Sequence, residues 1–329
     1  MLTNASMADP EGAVATVAER TARLAFRVWG FGEGLALLGL VHAGRVLGNA
    51  RYSTVVAEAV EPFLARVLEL DDHVASVEVL LALEALDGSG RHEAKARAWA
   101  ELILSAPRPI SGGLQAFRPD LFALSRVFWV DTMHTHGPGL AALGHEDEAL
   151  SFMAAAGRRL QASGGLFSHG FDLLDEVVNG VHWGRGCGWA LLGLVGTLRF
   201  ADTDELRERT NRLLEALAGH EEDGRWHTVV DDASTPLEHS VSALVALGVY
   251  EGIRVGTVNR RYFLLAERAI GAALAALRNG GLPVSEATPV GDVRTYASRR
   301  TGIFAWGQGP LLMALVARHA LIAPGGKQL

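Results

Sequence analysis

Residues Gly164–Leu194 read GGLFSHGFDLLDEVVNGVHWGRGCGWALLGL. From Gly184 onward apolar residues recur at helical spacing, and the same spacing runs through 146–162 just upstream. The segment between the two runs, Ser163–Trp183, is long, glycine-flanked and carries His169 and Asp172. Working outward, the helical period recurs at 11–27, 32–47, 50–69, 73–86, 91–105, 130–143, 146–162, 184–199, 203–218, 236–249, 258–278 and 309–322, about twelve helices with hardly any strand-like segment. Links after even-numbered helices are short, at Gly48–Asn49, Asp87–Gly90, Gly144–His145 and Ala201–Asp202, with a longer one at Tyr250–Thr257. Links after odd-numbered helices are long, at Ala106–Phe128, Ser163–Trp183, Gly219–Thr235 and Asn279–Gln308. If consecutive helices are antiparallel neighbours, every long link falls on one face. The pattern predicts an all-α (α/α)6 toroid in which even-numbered helices line the inside and the long links form a cleft above their N-termini. A solenoid would show a fixed repeat length and self-similarity, and neither is present.

Local signals refine this reading. Thr235 with Glu238 three residues later predicts a capping box opening the tenth helix, Pro310 behind Gly309 opens the twelfth, and Gly137-Pro138-Gly139 is expected to kink or restart the sixth. Residues 1–10 are expected to be disordered and 11–329 to form a single domain.

Composition narrows the partners. The chain has 329 residues, 49% hydrophobic, with a net charge of −7 and no lysine-rich stripe, which argues against nucleic acid. Cys187 is the only cysteine, which excludes an intrachain disulfide and a thiolate-rich metal site. The start, MLTNASMADPEGA, lacks a charged stretch followed by an apolar core and is not expected to be a signal peptide, and no apolar run is long enough to span a bilayer. A cytoplasmic monomer or homodimer is expected.

Aromatic and ionisable residues gather at one end of the proposed ring. Trp29 precedes helix two, Asp71, Asp72 and His73 precede helix four, and Trp129 and Asp131 open helix six; Asp172, Trp183 and Arg185 lead into helix eight, Thr235, Glu238 and His239 open helix ten, and Trp306 precedes helix twelve. Glycines allow close backbone approach, tryptophan faces hold sugar rings, and a carboxyl beside an imidazole moves protons, so a carbohydrate site is expected. Each residue also has a plainer reading. Asp131 suits a helix cap, Glu238 a capping box and Asp172 an Asx-turn. His134 and His136 point to different sides of a helix and do not share a metal, Cys187 and Trp99 suit packing, and Asp175 and Glu176 suit solvated loop charges.

W-x-x-x-x-G-x-x-L-x-G at Trp29–Gly39, FWVDTM at Phe128–Met133, HGFD at His169–Asp172 and WGRGCGWALLGL at Trp183–Leu194 occur in order, with E-x-S-x-S at Glu238–Ser242 and GIFAWGQGPLLMAL closing the chain. This set resembles glycoside hydrolase families 88 and 105, the unsaturated glucuronyl and unsaturated rhamnogalacturonyl hydrolases, across nearly the whole chain. The resemblance implies the same toroid and an enzyme that hydrates the C4=C5 double bond of a Δ4,5-unsaturated uronic acid at the non-reducing end of a lyase-generated oligosaccharide. It implies Asp172 as general acid and base, its pKa raised with help from the second carboxylate, Asp131, and His169 as an orienting group. Arg185 would pair bidentately with the uronate, Trp183 would stack on the ring, and Trp29, Trp129, His182, Trp189 and His239 would complete the wall. No metal or organic cofactor is implied. Cys187 stands where relatives often carry asparagine, and His134 and His136 are departures beside Asp131. The loops Pro107–Pro119 and Leu282–Arg300 match no pattern, although Arg118, Arg225, Arg299 and Arg300 offer local positive charge. The alternatives are a conventional acid/base glycosidase using Asp131 and Asp172 on an intact sugar, and a non-catalytic toroid that binds sugar or protein.

Overall fold

The computed structural model describes residues 9–26, 32–106, 114–116 and 125–322. Twelve helices of ten residues or more lie in this part: α1 Pro10–Thr21, α2 Gly34–Leu47, α3 Arg51–Ala65, α4 Glu78–Asp87, α5 Arg91–Ser105, α6 Thr132–Ala142, α7 Glu146–Leu160, α8 Gly184–Leu198, α9 Asp204–Gly219, α10 His239–Arg254, α11 Phe263–Ala275 and α12 Ala305–Ile322. Most residues of the even-numbered helices α2, α8, α10 and α12 are buried, and almost all of those in α8. A helix without a polar face must be enclosed. Accordingly α2 packs on α4, α6 on α8, α8 on α10, α10 on α12, and α12 back on α2, while odd-numbered helices cover them from outside. The ring is the expected (α/α)6 toroid. No helix among the described residues is long and apolar enough to cross a membrane.

All six inner helices line a cavity of about 100 Å³ on the ring axis, among them Leu38, Glu78, His134, Val195, Leu247 and Val316. Burial pushes the Glu78 carboxyl up to about 7 and the His42 and His134 imidazoles down to about 4. A carboxyl whose folded pKa is raised favours the folded state at low pH, and that contribution is lost as pH climbs from the unfolded value through 7. Glu78→Gln is therefore expected to gain about 1–2 kcal/mol over the native chain at pH 8 and nothing at pH 4, after allowance for the partial exposure of the side chain. Urea unfolding at the two pH values reads this directly.

Helix contacts depend on missing side chains. A Cβ on Gly193 of α8 would lie 2.5 Å from the Met133 carbonyl oxygen of α6, and one on Gly309 of α12 would lie 2.4 Å from the Ala36 nitrogen of α2. Backbone cannot yield as a flexible side chain can, so alanine at either position is expected to cost about 1–3 kcal/mol in urea unfolding.

Four local expectations are corrected. The twelfth helix begins at Ala305 and carries Pro310 inside it, not at its start. The sixth helix does not restart at Gly137-Pro138-Gly139 but continues through Pro138, whose ring sits against Gly196 of α8, where a side chain would collide. The fourth begins at Glu78, preceded by a separate 3-10 turn at Leu70–Val74. The capping box does not form: Pro236 and Leu237 stay extended against Thr228 and His227, the helix starts at His239, and Glu238 itself is the N-cap, accepting from the Ser240 N–H. The long links also contain short strands. β1 Val127–Trp129, β2 Gly170–Asp172 and β3 Val177–Val178 form one antiparallel sheet in that order, and β4 Pro283–Ser285 pairs with β5 Thr301–Ile303. Links that cross a buried face must still satisfy their backbone groups, and strand pairing does so.

Candidate active site

The β1–β2 register sets Trp129 against Gly170 and Val127 against Asp172, and the Val130 N–H donates to the His169 carbonyl at 2.8 Å. This brings the start of α6 beside His169. The His169 Nε2 lies 3.0 Å from Asp131 Oδ2, and its Nδ1 lies 2.8 Å from the Tyr296 hydroxyl. Tyr296 comes from a short helical segment, Val293–Ala297, in the link before α12. Its hydroxyl oxygen accepts from Asn179 Nδ2 and from the Gly291 N–H, so its own proton goes to His169 Nδ1. His169 is then protonated at Nε2 and donates to Asp131. Asp131, although it is the N-cap residue of α6, makes no side-chain cap bond, and its carboxylate serves this chain instead. Trp183 and Trp129 pack on the His169 ring at 4.4 and 5.1 Å.

Tyr296→Phe should therefore release His169 to a mixture of tautomers. The expected readouts are a changed pair of His169 ring ¹⁵N shifts and a roughly tenfold fall in kcat with a smaller change in KM, as for loss of a positioning group. Unchanged shifts would refute the chain of hydrogen bonds.

Asp172 lies three residues from His169 on an alternating strand and belongs to a different cluster. Arg126 Nε donates to its Oδ2 at 2.6 Å, and its Oδ1 accepts from the Leu174 and Asp175 N–H groups at 2.9 Å each. The Asx-turn reading is thus met alongside the ion pair. The Arg126 guanidinium, with the two backbone donors, holds the Asp172 carboxyl below the usual carboxylate range. The raised pKa expected from Asp131 is overturned: the charge acting on Asp172 is that of Arg126, while Asp131 is engaged with His169. Asp172 keeps 24% of its side chain exposed, against 1% for Asp131 and none for His169. Arg126 also pairs with Asp175, and Glu176 lies near Arg159.

Arg185 is fully enclosed over the face of Trp183, 4.6 Å from its centroid. Its two Nη groups donate to the Ser285 and Glu286 carbonyls at 3.0 and 2.9 Å, and Glu238 Oε1 lies 3.5 Å away. Glu238 in turn accepts from Ser240 Oγ and the Ser285 N–H. Burial opposes its charge, but Arg185 and these donors outweigh it and keep the carboxyl below its usual pKa. The bidentate contact expected for a substrate carboxylate is thus occupied by the main chain of the β4 link. That link also covers the site, with Val290 against Gly170 and the Gly291 carbonyl accepting from Asn179.

Of the remaining candidates, His182 meets Asp231 at 2.7 Å at the rim, and His239 is half-buried at the head of α10. Trp306 donates to the Ser285 carbonyl. Trp189 is no wall of the site: it is fully buried and stacks on His134, which faces the axial cavity. His136 stacks instead near His73 and Trp99, so the two imidazoles do diverge. Cys187 is a packing residue whose thiol donates to the Phe167 carbonyl and is pushed up to about 12 by burial. Trp29 and Arg118 lie outside the described residues. Arg126, Asn179 and Tyr296 escaped the sequence reading because their partners are distant in the chain; Arg126, two residues before FWVDTM, had the nearest signal.

A family model described as Glycosyl Hydrolase Family 88 matches residues 13–322. The chain belongs to this family. It is a glycoside hydrolase. Unsaturated rhamnogalacturonyl hydrolase YesR of Bacillus subtilis (strain 168) is 25% identical over 302 residues, covering 82% of this chain and 83% of that protein. The fold is shared with a family 105 glycoside hydrolase of C. acetobutylicum ATCC 824, at TM-score 0.82 and 17% identity over 93% of this chain and 98% of that one. It is also shared with the unsaturated glucuronyl hydrolase of Bacillus sp. GL1, at TM-score 0.73 and 18% identity over 94% and 95%.

Proposed function

We propose that this family 88 hydrolase acts on a Δ4,5-unsaturated uronic acid at the non-reducing end of a lyase-generated oligosaccharide, with Asp172 as general acid and base. The observation that carries the assignment is Asp172 itself. It is the partly exposed carboxylate on β2, held in place by two backbone N–H groups and Arg126, on the strand that also positions the Asp131–His169 pair. Protonated Asp172 gives its proton to C4. The resulting carboxylate takes a proton from water as the water oxygen adds to C5, and the hemiketal so formed opens to release the neighbouring sugar. Asp131, fixed by His169, accepts hydrogen bonds from ring hydroxyls. Trp183, Trp129, His182 and His239 border the sugar.

The test is incubation with a panel of lyase-generated disaccharides while the ultraviolet absorbance of the unsaturated ring is followed. Loss of absorbance with release of the second sugar is expected. Turnover of a saturated uronide without such a signal would replace this reading with conventional hydrolysis.

Because Arg126 depresses the Asp172 pKa, the protonated fraction of the free enzyme falls as pH rises from the acid side, and kcat/KM should fall with it. Arg126→Gln removes the depressing charge, raises that pKa and should move the descending limb to higher pH. A limb that stays in place in the variant would show that another group supplies the proton.

A further inference from the structure

A second cleft, of about 680 Å³, opens between the head of α10, the end of α11 and the β4–β5 pair. Glu238 and Ser285 form the wall it shares with the Arg185 cluster. Its floor is apolar, with Leu237 and Val284, and its rim carries Arg225 and Arg278. Among the described residues Arg278 pairs with no carboxylate. Arg225 Nε donates to the Glu222 carbonyl at 3.2 Å, and its only carboxylate partner among those residues is Asp223 at 3.4 Å, an aspartate 93% exposed, which is a weak hold. One buried polar atom in the lining lacks a protein partner, His239 Nδ1, while the hydroxyl of Ser285, a residue only 7% exposed, faces the Glu238 carboxylate. A buried polar atom without a partner is rare in a folded protein and marks a place where a ligand or water completes the bonding. The cations stand out in a chain of net charge −7.

We propose that this cleft is a second saccharide-binding site that takes an acidic sugar unit. Its carboxylate pairs with Arg278 and Arg225, a ring or exocyclic oxygen bonds His239 Nδ1, and the C–H face lies on Leu237 and Val284. Guanidinium groups bind carboxylates through paired, charge-assisted hydrogen bonds, and the apolar floor supplies what a bare anion site would lack. The site adjoins the proposed active centre, with His239 standing between the two; binding to the arginines does not depend on the reaction there, though it would favour acidic oligosaccharides longer than a disaccharide.

The test uses D-glucuronate, D-glucose and inorganic phosphate as probes in calorimetric titrations of the native chain, Arg278→Gln and Arg225→Gln/Arg278→Gln. Glucuronate is expected to bind and glucose and phosphate much less, with glucuronate weakened roughly tenfold or more in the variants. In parallel, turnover of an unsaturated disaccharide should be unchanged in Arg278→Gln, while KM for a longer acidic oligosaccharide should rise. Equal binding of phosphate and glucuronate, or glucuronate binding that both variants retain, would overturn the proposal. Absence of turnover in the native chain would instead count against the reaction assigned to Asp172 and leave the binding result standing.

Discussion

Asp172→Asn is expected to lower turnover of an unsaturated uronyl disaccharide by roughly 10³-fold, the scale of a lost general acid and base. The substitution is conservative in structure. An asparagine oxygen still accepts from the Leu174 and Asp175 N–H groups, so the turn that carries the residue survives. What is lost is the proton and the ion pair with Arg126, and a partly exposed pair of this kind contributes about 1 kcal/mol or less to stability. A fall in kcat with unchanged unfolding therefore reports chemistry and not folding. Rate measurement by ultraviolet absorbance together with a urea curve separates the two. Retention of more than about a tenth of native turnover would remove Asp172 from the role, since acid–base catalysis is worth at least about 10²-fold.

Arg185→Met is expected to cost about 3–5 kcal/mol of unfolding free energy. The guanidinium is enclosed, donates to two carbonyls of the β4 link and faces a buried Glu238. Methionine fills much of the volume but leaves Glu238 charged, or forces it to take a proton, in an apolar setting. Two main-chain carbonyls lose their donors as well. Replacing both partners, Arg185→Met with Glu238→Gln, should recover part of the loss, because the unpaired charge is then gone. Urea unfolding at neutral pH checks both variants. A loss below about 1 kcal/mol in the single variant would mean that the pair is better hydrated than its burial implies.

Much of the architecture was legible because it rests on local periodicity. The apolar spacing of 184–199 marks α8 to within a residue, and the short Gly144–His145 link ties α6 to α7 as antiparallel neighbours. The capping box failed because Thr235 and Glu238 have the right spacing whether or not Pro236 enters the helix, and strand-like pairing with Thr228 decided that it does not. Strands β1 and β2 were invisible for a related reason: three residues gain their order from partners far away in the chain.

The chain alone determined the twelve helices and their alternation into inner and outer rings, since each follows from spacing and link length. Only the tertiary structure decided which charge meets which. It set Arg126 on Asp172, His169 and Tyr296 in line with Asp131, and the β4 carbonyls on Arg185. These pairings depend on distances of a few ångströms between segments far apart in sequence. Electrostatic and hydrogen-bond energies fall off over that same length, so residue type and order cannot specify them without the packed fold.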